Sequence, residues 1–162
     1  MIYKIPSTLL LLMVISISAQ SKSETIDWLN NKLSSSPIGL EGSMETTFFA
    51  KYNTDGSFEN TLSEESKLIN YLSISKFSGN LSKLDPQSIR IIKSNDGNYF
   101  LQATCTKGKC ITQNSKYENG KTAQYNSSIV SLAYVSDTEL AVRCRTAFIH
   151  LIHLQGGKKE LF

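Results

Sequence analysis

Two histidines, His150 and His153, are the chain's only imidazoles, and imidazole is the group that titrates nearest neutrality and most often ligates metal. At i, i+3 on a helix both rings lean the same way, and with a carboxylate such as Glu160 they would form an H-x-x-H site for zinc or copper. Two ligands without a third or fourth do not close a coordination shell. The plainer reading is a pair of solvated histidines favoured by a helix C-terminal dipole, with no metal and no cofactor. A serine nucleophile would be delivered by G-x-S-x-G, which the sequence lacks. A cysteine nucleophile would have to be Cys144, which the apolar pattern around it assigns to a core. The carboxylates Glu41 and Glu45, and Glu64 and Glu65, lie in polar segments, and adjacent side chains point apart, so nothing sets an acid and a base in different environments. Gly120-Lys121-Thr122 resembles the end of a phosphate loop, but the position five before it is Ser115 rather than glycine. Together these readings predict a protein that is not an enzyme.

The remaining chemistry is that of Cys105 and Cys110. They flank Thr106-Lys107-Gly108-Lys109 and sit between two strand-like segments, a spacing that fits a disulfide closing a four-residue hairpin connection. A redox pair would prefer C-x-x-C, and a metal clip would need two more ligands in reach. The disulfide implies an oxidising compartment, and the N-terminus supplies a route there. Lys4 precedes an apolar run from Leu9 to Ile17, followed by Ala19, which reads as a secretory signal peptide over Met1 to Ala19. That run is shorter than the roughly 20 residues a membrane-crossing helix needs, and no later stretch approaches that length. The expectation is a secreted or periplasmic protein, Gln20 to Phe162, with no transmembrane span after cleavage.

Several elements must position these residues. Ser23 to Leu33 places Ile26, Leu29 and Leu33 at helical spacing with Ser23 as N-cap. Trp28 lies off that stripe, where it would either mark a contact surface or fold back onto its neighbours. Met44 to Tyr52 and Ser57 to Leu62 flank Asn53-Thr54-Asp55-Gly56, and Ser88 to Lys93 and Tyr99 to Thr104 flank Ser94-Asn95-Asp96-Gly97, two D-G hairpin signals. Lys67 to Phe77, a strand or in its first half a helical turn, together with Ile111 to Ser115 and Ile129 to Val135 completes seven candidate strands. The polar stretch Asn114 to Ser128, with Asn119-Gly120 inside it, reads as a mobile loop. Ser136 and Glu139 form a capping box ahead of a helix from about Asp137 to Gln155, stopped by Gly156-Gly157. Leu140, Ala141, Cys144, Ala147, Phe148, Leu151 and Ile152 share one face of that helix and must be buried.

The chain has 162 residues, 40% of them hydrophobic and 19% charged, with a formal net charge of +3. That is one domain's length, apolar enough for a core. Its charges are dispersed, which is not the signature of nucleic-acid binding. The predicted fold class is α+β: an antiparallel, seven-stranded, barrel-like sheet packed by a C-terminal helix, with a short N-terminal helix beside it.

The segments ETIDWLNNKL, DPQSIRII, CTKGKCI and RTAFIHLIHLQGG, behind a signal peptide, resemble those of uncharacterised small secreted proteins of Bacteroidetes-type bacteria, which carry no catalytic residues to transfer. Seven strands followed by one capping helix is also similar to the pleckstrin-homology-like barrel. Lipid-binding members of that fold use basic residues around the first hairpin, whereas here its loop, Asn53 to Gly56, holds no cation. The expected function is a non-catalytic binding or interaction module with a protein or small-molecule partner. The alternatives are a carrier of small apolar ligands inside the barrel and a metal-binding protein acting through His150 and His153.

Overall fold

The computed structural model describes residues 21–33, 36–41, 44–66, 68–95 and 97–156. The expected leader, Gly157 and Glu160 lie outside these residues.

Helix α1 spans Lys22–Leu33 and buries Thr25, Ile26, Leu29 and Leu33. The cap falls two residues earlier than expected: the Ser21 N–H donates to Glu24 Oε2 at 2.8 Å and the Glu24 N–H donates to Ser21 Oγ at 3.2 Å, a capping box in which Ser21 rather than Ser23 is the cap. Donation to the carboxylate, first from the Ser21 N–H and then from the Ser21 side chain, holds the Glu24 carboxyl below its usual range. At the other end of the chain, helix α2 spans Thr138–Leu154, and Asp137, not Ser136, caps it by accepting from the N–H groups of Glu139 and Leu140. A carboxylate at this position outcompetes the neighbouring hydroxyl because it also complements the positive helix terminus. The stripe predicted for this helix is the face that packs: Ala141, Cys144, Phe148, Leu151 and Ile152 are buried, with Leu140 and Ala147 packed against them.

Between the helices run nine strands: β1 Ser36–Glu41, β2 Met44–Tyr52, β3 Ser57–Ser66, β4 Tyr71–Asn80, β5 Arg90–Lys93, β6 Tyr99–Thr104, β7 Ile111–Tyr117, β8 Thr122–Ser127 and β9 Ile129–Val135. All pair antiparallel. They form a six-stranded sheet ordered β1-β2-β3-β4-β7-β8 and a three-stranded sheet ordered β5-β6-β9. The protein is therefore α+β with a C-terminal helix on antiparallel sheets, but the seven-stranded barrel-like sheet is corrected: among the described residues there are two separate sheets and no closed barrel. The sequence reading missed β1, which contains Pro37 and Gly39, and β8, which replaces most of the expected mobile loop. β8 escaped because its side chains are mostly exposed on both faces and so show no apolar alternation. Of the segment Lys67 to Phe77, read as a strand or, in its first half, a helical turn, Leu68 to Asn70 form a turn and the strand begins at Tyr71.

The chain crosses between the sheets three times, after β4, β6 and β8. The first crossing runs through two 3₁₀ turns, Leu81–Lys83 and Pro86–Ser88, capped by Asn80 and Asp85. The second is the loop closed by the Cys105–Cys110 disulfide. The third is the single residue Ser128. The expectation that the bridge staples a hairpin is thus corrected, because β6 and β7 belong to different sheets. Instead the three crossings meet at one corner. The Cys105 N–H donates to the Ser128 carbonyl at 2.8 Å, the Thr106 N–H donates to the Lys83 carbonyl at 2.9 Å, and Leu84 bridges to Cys105. Backbone groups that leave one ladder are satisfied by those of the next crossing, as burial requires.

The two D-G hairpins form where expected, joining β2 to β3 and β5 to β6. Gly56 has φ +86°, a backbone conformation that favours glycine, and a Cβ there would come within 2.8 Å of the Gln155 side chain at the end of α2, which would have to shift. Gly79 answers a packing demand: it leaves room for Phe58 and Ile111, which a Cβ would approach to 2.9 and 2.8 Å. The core lies where the inner face of β2 (Phe48, Ala50, Tyr52) meets the small sheet (Leu101, Ala103, Val130, Leu132) and the two helices. Tyr52 stands at its centre, with ring centroids 5.0 Å from Phe148 and 6.0 Å from Phe58. Polar side chains fix the layers in register. The Tyr52 hydroxyl donates to the Leu132 carbonyl, Asn60 Nδ2 donates to the Ser131 carbonyl at 2.8 Å, and the Asn30 amide exchanges two bonds of 2.9 Å with the Tyr52 backbone.

Candidate functional site

The inner flanks of α1 and α2 leave an open groove of about 510 Å³ lined by Thr25, Trp28, Val142, Arg143, Thr146, Ala147 and His150. The α1 residues sit one turn apart, and those of α2 follow the i, i+4, i+8 row beside its buried stripe, so helical spacing alone delivers them to one trough. Trp28 packs partly against the core and keeps one face toward the groove, where the Arg143 guanidinium lies over it at 5.1 Å from the ring centroid. A planar cation on an indole is the favoured form of this contact, worth about 0.5–1 kcal/mol at an exposed site. Val142, half exposed at 51%, supplies apolar surface beside it.

The groove's polar groups divide by role. The Thr146 hydroxyl donates to the Val142 carbonyl at 3.1 Å and that of Thr25 to the Ser21 carbonyl at 3.1 Å, so both spend their proton on their own helix. Arg143 is a permanent cation with several N–H donors. None of the seven lining residues is acidic. The trough therefore offers positive charge, an aromatic wall and aliphatic surface, a combination that suits an anionic or acceptor-bearing group carried on an apolar body.

Reactive groups elsewhere are engaged in the structure. Burial pushes the Cys144 thiol up to about 11, against a lesser opposite pull from Arg143, so the core role read from its stripe is the one it has. Burial also raises the Tyr52 hydroxyl well above the usual phenol range, partly offset by the Asn60 side chain beside it. Cys105 and Cys110 are joined as a disulfide. Among the described residues no group of three or more His, Cys, Asp or Glu side chains could hold a metal, and Glu160, the third ligand considered for His150 and His153, lies outside them. His150 belongs instead to the groove wall. Glu64 and Glu65 alternate across β3 as adjacent strand residues must, while Glu65 stands opposite Glu45 on β2. Gly120 turns the β7–β8 hairpin with its N–H bonded to the Tyr117 carbonyl at 2.9 Å.

The sequence singles out Trp28 and His150 separately, and Arg143 lies off the apolar stripe of its helix with no role read for it. The signal that joins them was available only in part, since each lies beside its helix's apolar stripe and such flanks face one another wherever two stripes share a core. Against known proteins, the chain matches no protein-family model, no curated protein and no solved structure.

Proposed function

We propose that this protein is a non-catalytic binding module acting outside the cytoplasm, secreted or periplasmic, with the groove between α1 and α2 as its recognition surface. The observation that carries the reading is the Arg143 guanidinium lying over the Trp28 ring in a trough with no acidic lining residue among the described residues. Such a surface recognises a carboxylate or comparable anion attached to an apolar segment, the anion meeting Arg143 and the segment lying against Trp28, Val142 and Ala147. The signal-like leader and the disulfide support export. The non-catalytic part is supported by the engagement of the Cys144 thiol, the Tyr52 hydroxyl and the two groove threonines in packing or backbone bonds. A carrier function finds less support, because Tyr52, Phe58, Leu132 and Phe148, which would line an interior, pack against one another.

Trp28 is the only tryptophan, so its fluorescence reports on the groove alone. Short peptides ending in an apolar residue with a free carboxylate should shift and saturate its emission, while their amidated counterparts should bind at least about tenfold more weakly, as should the Arg143→Gln variant with the free acids. Emission indifferent to both peptide series would overturn the reading.

A further inference from the structure

A sheet edge exposes unpaired backbone groups, and proteins guard such edges with charge, proline or cover. Three of the four edges described here are guarded. β1 carries Pro37, which has no N–H, β5 carries Arg90 and Lys93, and β9 lies against β1 and β2. The fourth, β8, reads Thr-Ala-Gln-Tyr-Asn-Ser, with no charge, no proline and no register break against β7.

The hydrogen-bond alternation says which of its groups are offered. The Tyr117 N–H donates to the Lys121 carbonyl at 3.0 Å, so 117 and 121 form a bonded pair. Every second pair along the ladder then does the same, at Ser115 with Ala123, Gln113 with Tyr125 and Ile111 with Ser127. On the other side of β7, the Glu118 N–H donates to the Leu72 carbonyl at 2.9 Å, which assigns the even-numbered residues of β7 to β4 and agrees with this phase. Thr122, Gln124 and Asn126 consequently direct their N–H and C=O groups away from β7.

We infer that β8 pairs antiparallel with β8 of a second copy of this chain, about a two-fold axis through Gln124. This is the one antiparallel self-pairing in which every outward amide and carbonyl of Thr122, Gln124 and Asn126 meets a partner: Gln124 faces its own copy, and Thr122 faces Asn126. Side chains agree with that register. It sets Tyr125, 52% exposed in the single chain, opposite the small Ala123 of the other copy, and does so twice by symmetry. No charge on either strand opposes its counterpart. A six-residue edge buries less than the roughly 1,200–2,000 Å² of a standard stable interface, so the dimer is weak and depends on concentration.

Sedimentation velocity of the full chain over a concentration series into the high micromolar range tests this. The sedimentation coefficient should climb from monomer toward dimer. Gln124→Pro deletes an outward N–H without touching the β7 ladder, and Gln124→Lys sets two ammonium groups face to face across the axis. Each should raise the dissociation constant by about tenfold or more. Circular dichroism and Tm show whether each variant is folded, and Gln124→Lys, an exposed substitution, decides the matter if the proline variant is not. A chain that stays monomeric throughout, or a dimer that the folded variants leave intact, would overturn the inference.

Discussion

The two ends of the large sheet are built from opposite materials. Where β2, β3 and β7 approach the helices and the small sheet, the inner face presents Tyr52, Phe58 and Ile111, all buried among aromatic and aliphatic neighbours. Farther along, beyond Asn60 and Phe77, the same face carries Ser66, Ser73 and Ser115, which are 2%, 5% and 3% exposed. Cross-strand register places Ser115 between Ser75 and Ala123, and its hydroxyl lies 2.8 Å from that of Ser75. Gln113 Nε2 donates to the same oxygen at 3.2 Å. A small hydroxyl can be hidden by its strand neighbours alone, whereas a ring needs a second layer. The aromatic end therefore draws its stability from apolar area removed from water, the serine end from ladder hydrogen bonds and those of the Ser115 side chain, whose net contribution is far smaller, while the buried Ser66 hydroxyl has no hydrogen-bond partner among the described residues.

The contrast can be broken by substitution. Phe148→Ala, at the helix side of the aromatic end, should cost about 3–5 kcal/mol in chemical denaturation, a large part of a single domain's stability. Ablating the Cys105–Cys110 bridge with paired serines should cost about 2 kcal/mol by the loop-entropy estimate for so short a ring. Because that ring is tied to Lys83 and Ser128, hydrogen exchange should accelerate at the amides of Cys105 and Thr106 before it does so in the core. Ser115→Ala should cost about 1 kcal/mol or less, measured the same way. A Ser115→Ala penalty equal to that of Phe148→Ala would mean the serine end is as strongly packed as the aromatic end and would dissolve the distinction.

The two ends also differ in how well they could be read in advance. Periodicity identified the buried face of α2 residue by residue, and strong strand formers gave Met44–Tyr52, Tyr99–Thr104 and Ile129–Val135 with their observed bounds. These segments face a core, and a core imposes pattern on sequence. Thr122–Ser127 faces none, so its strand character rests on pairing with β7, a long-range choice that local composition does not record. Asp137 displaced Ser136 as cap because its carboxylate also complements the helix terminus, a term that the S-x-x-E pattern leaves out. The partition of strands between two sheets was hidden as well, since Cys105 to Cys110 has the length of a hairpin loop whether or not its strands are neighbours. For the candidate site, Trp28 and His150 drew notice by residue type, but Arg143 became significant only when the two helices were set side by side.

The convergence of the three crossings has a consequence for how the chain assembles. Each sheet is completed by segments that alternate along the sequence with those of the other, so neither half of the polypeptide contains a finished layer. A fragment ending at Thr104 would hold β5 and β6 without β9, and β4 without β7. Such interleaving places many contacts far apart along the chain, which slows folding and makes it a single cooperative event. Cleaving the backbone at any point between β4 and β9 should consequently leave no autonomous subdomain behind.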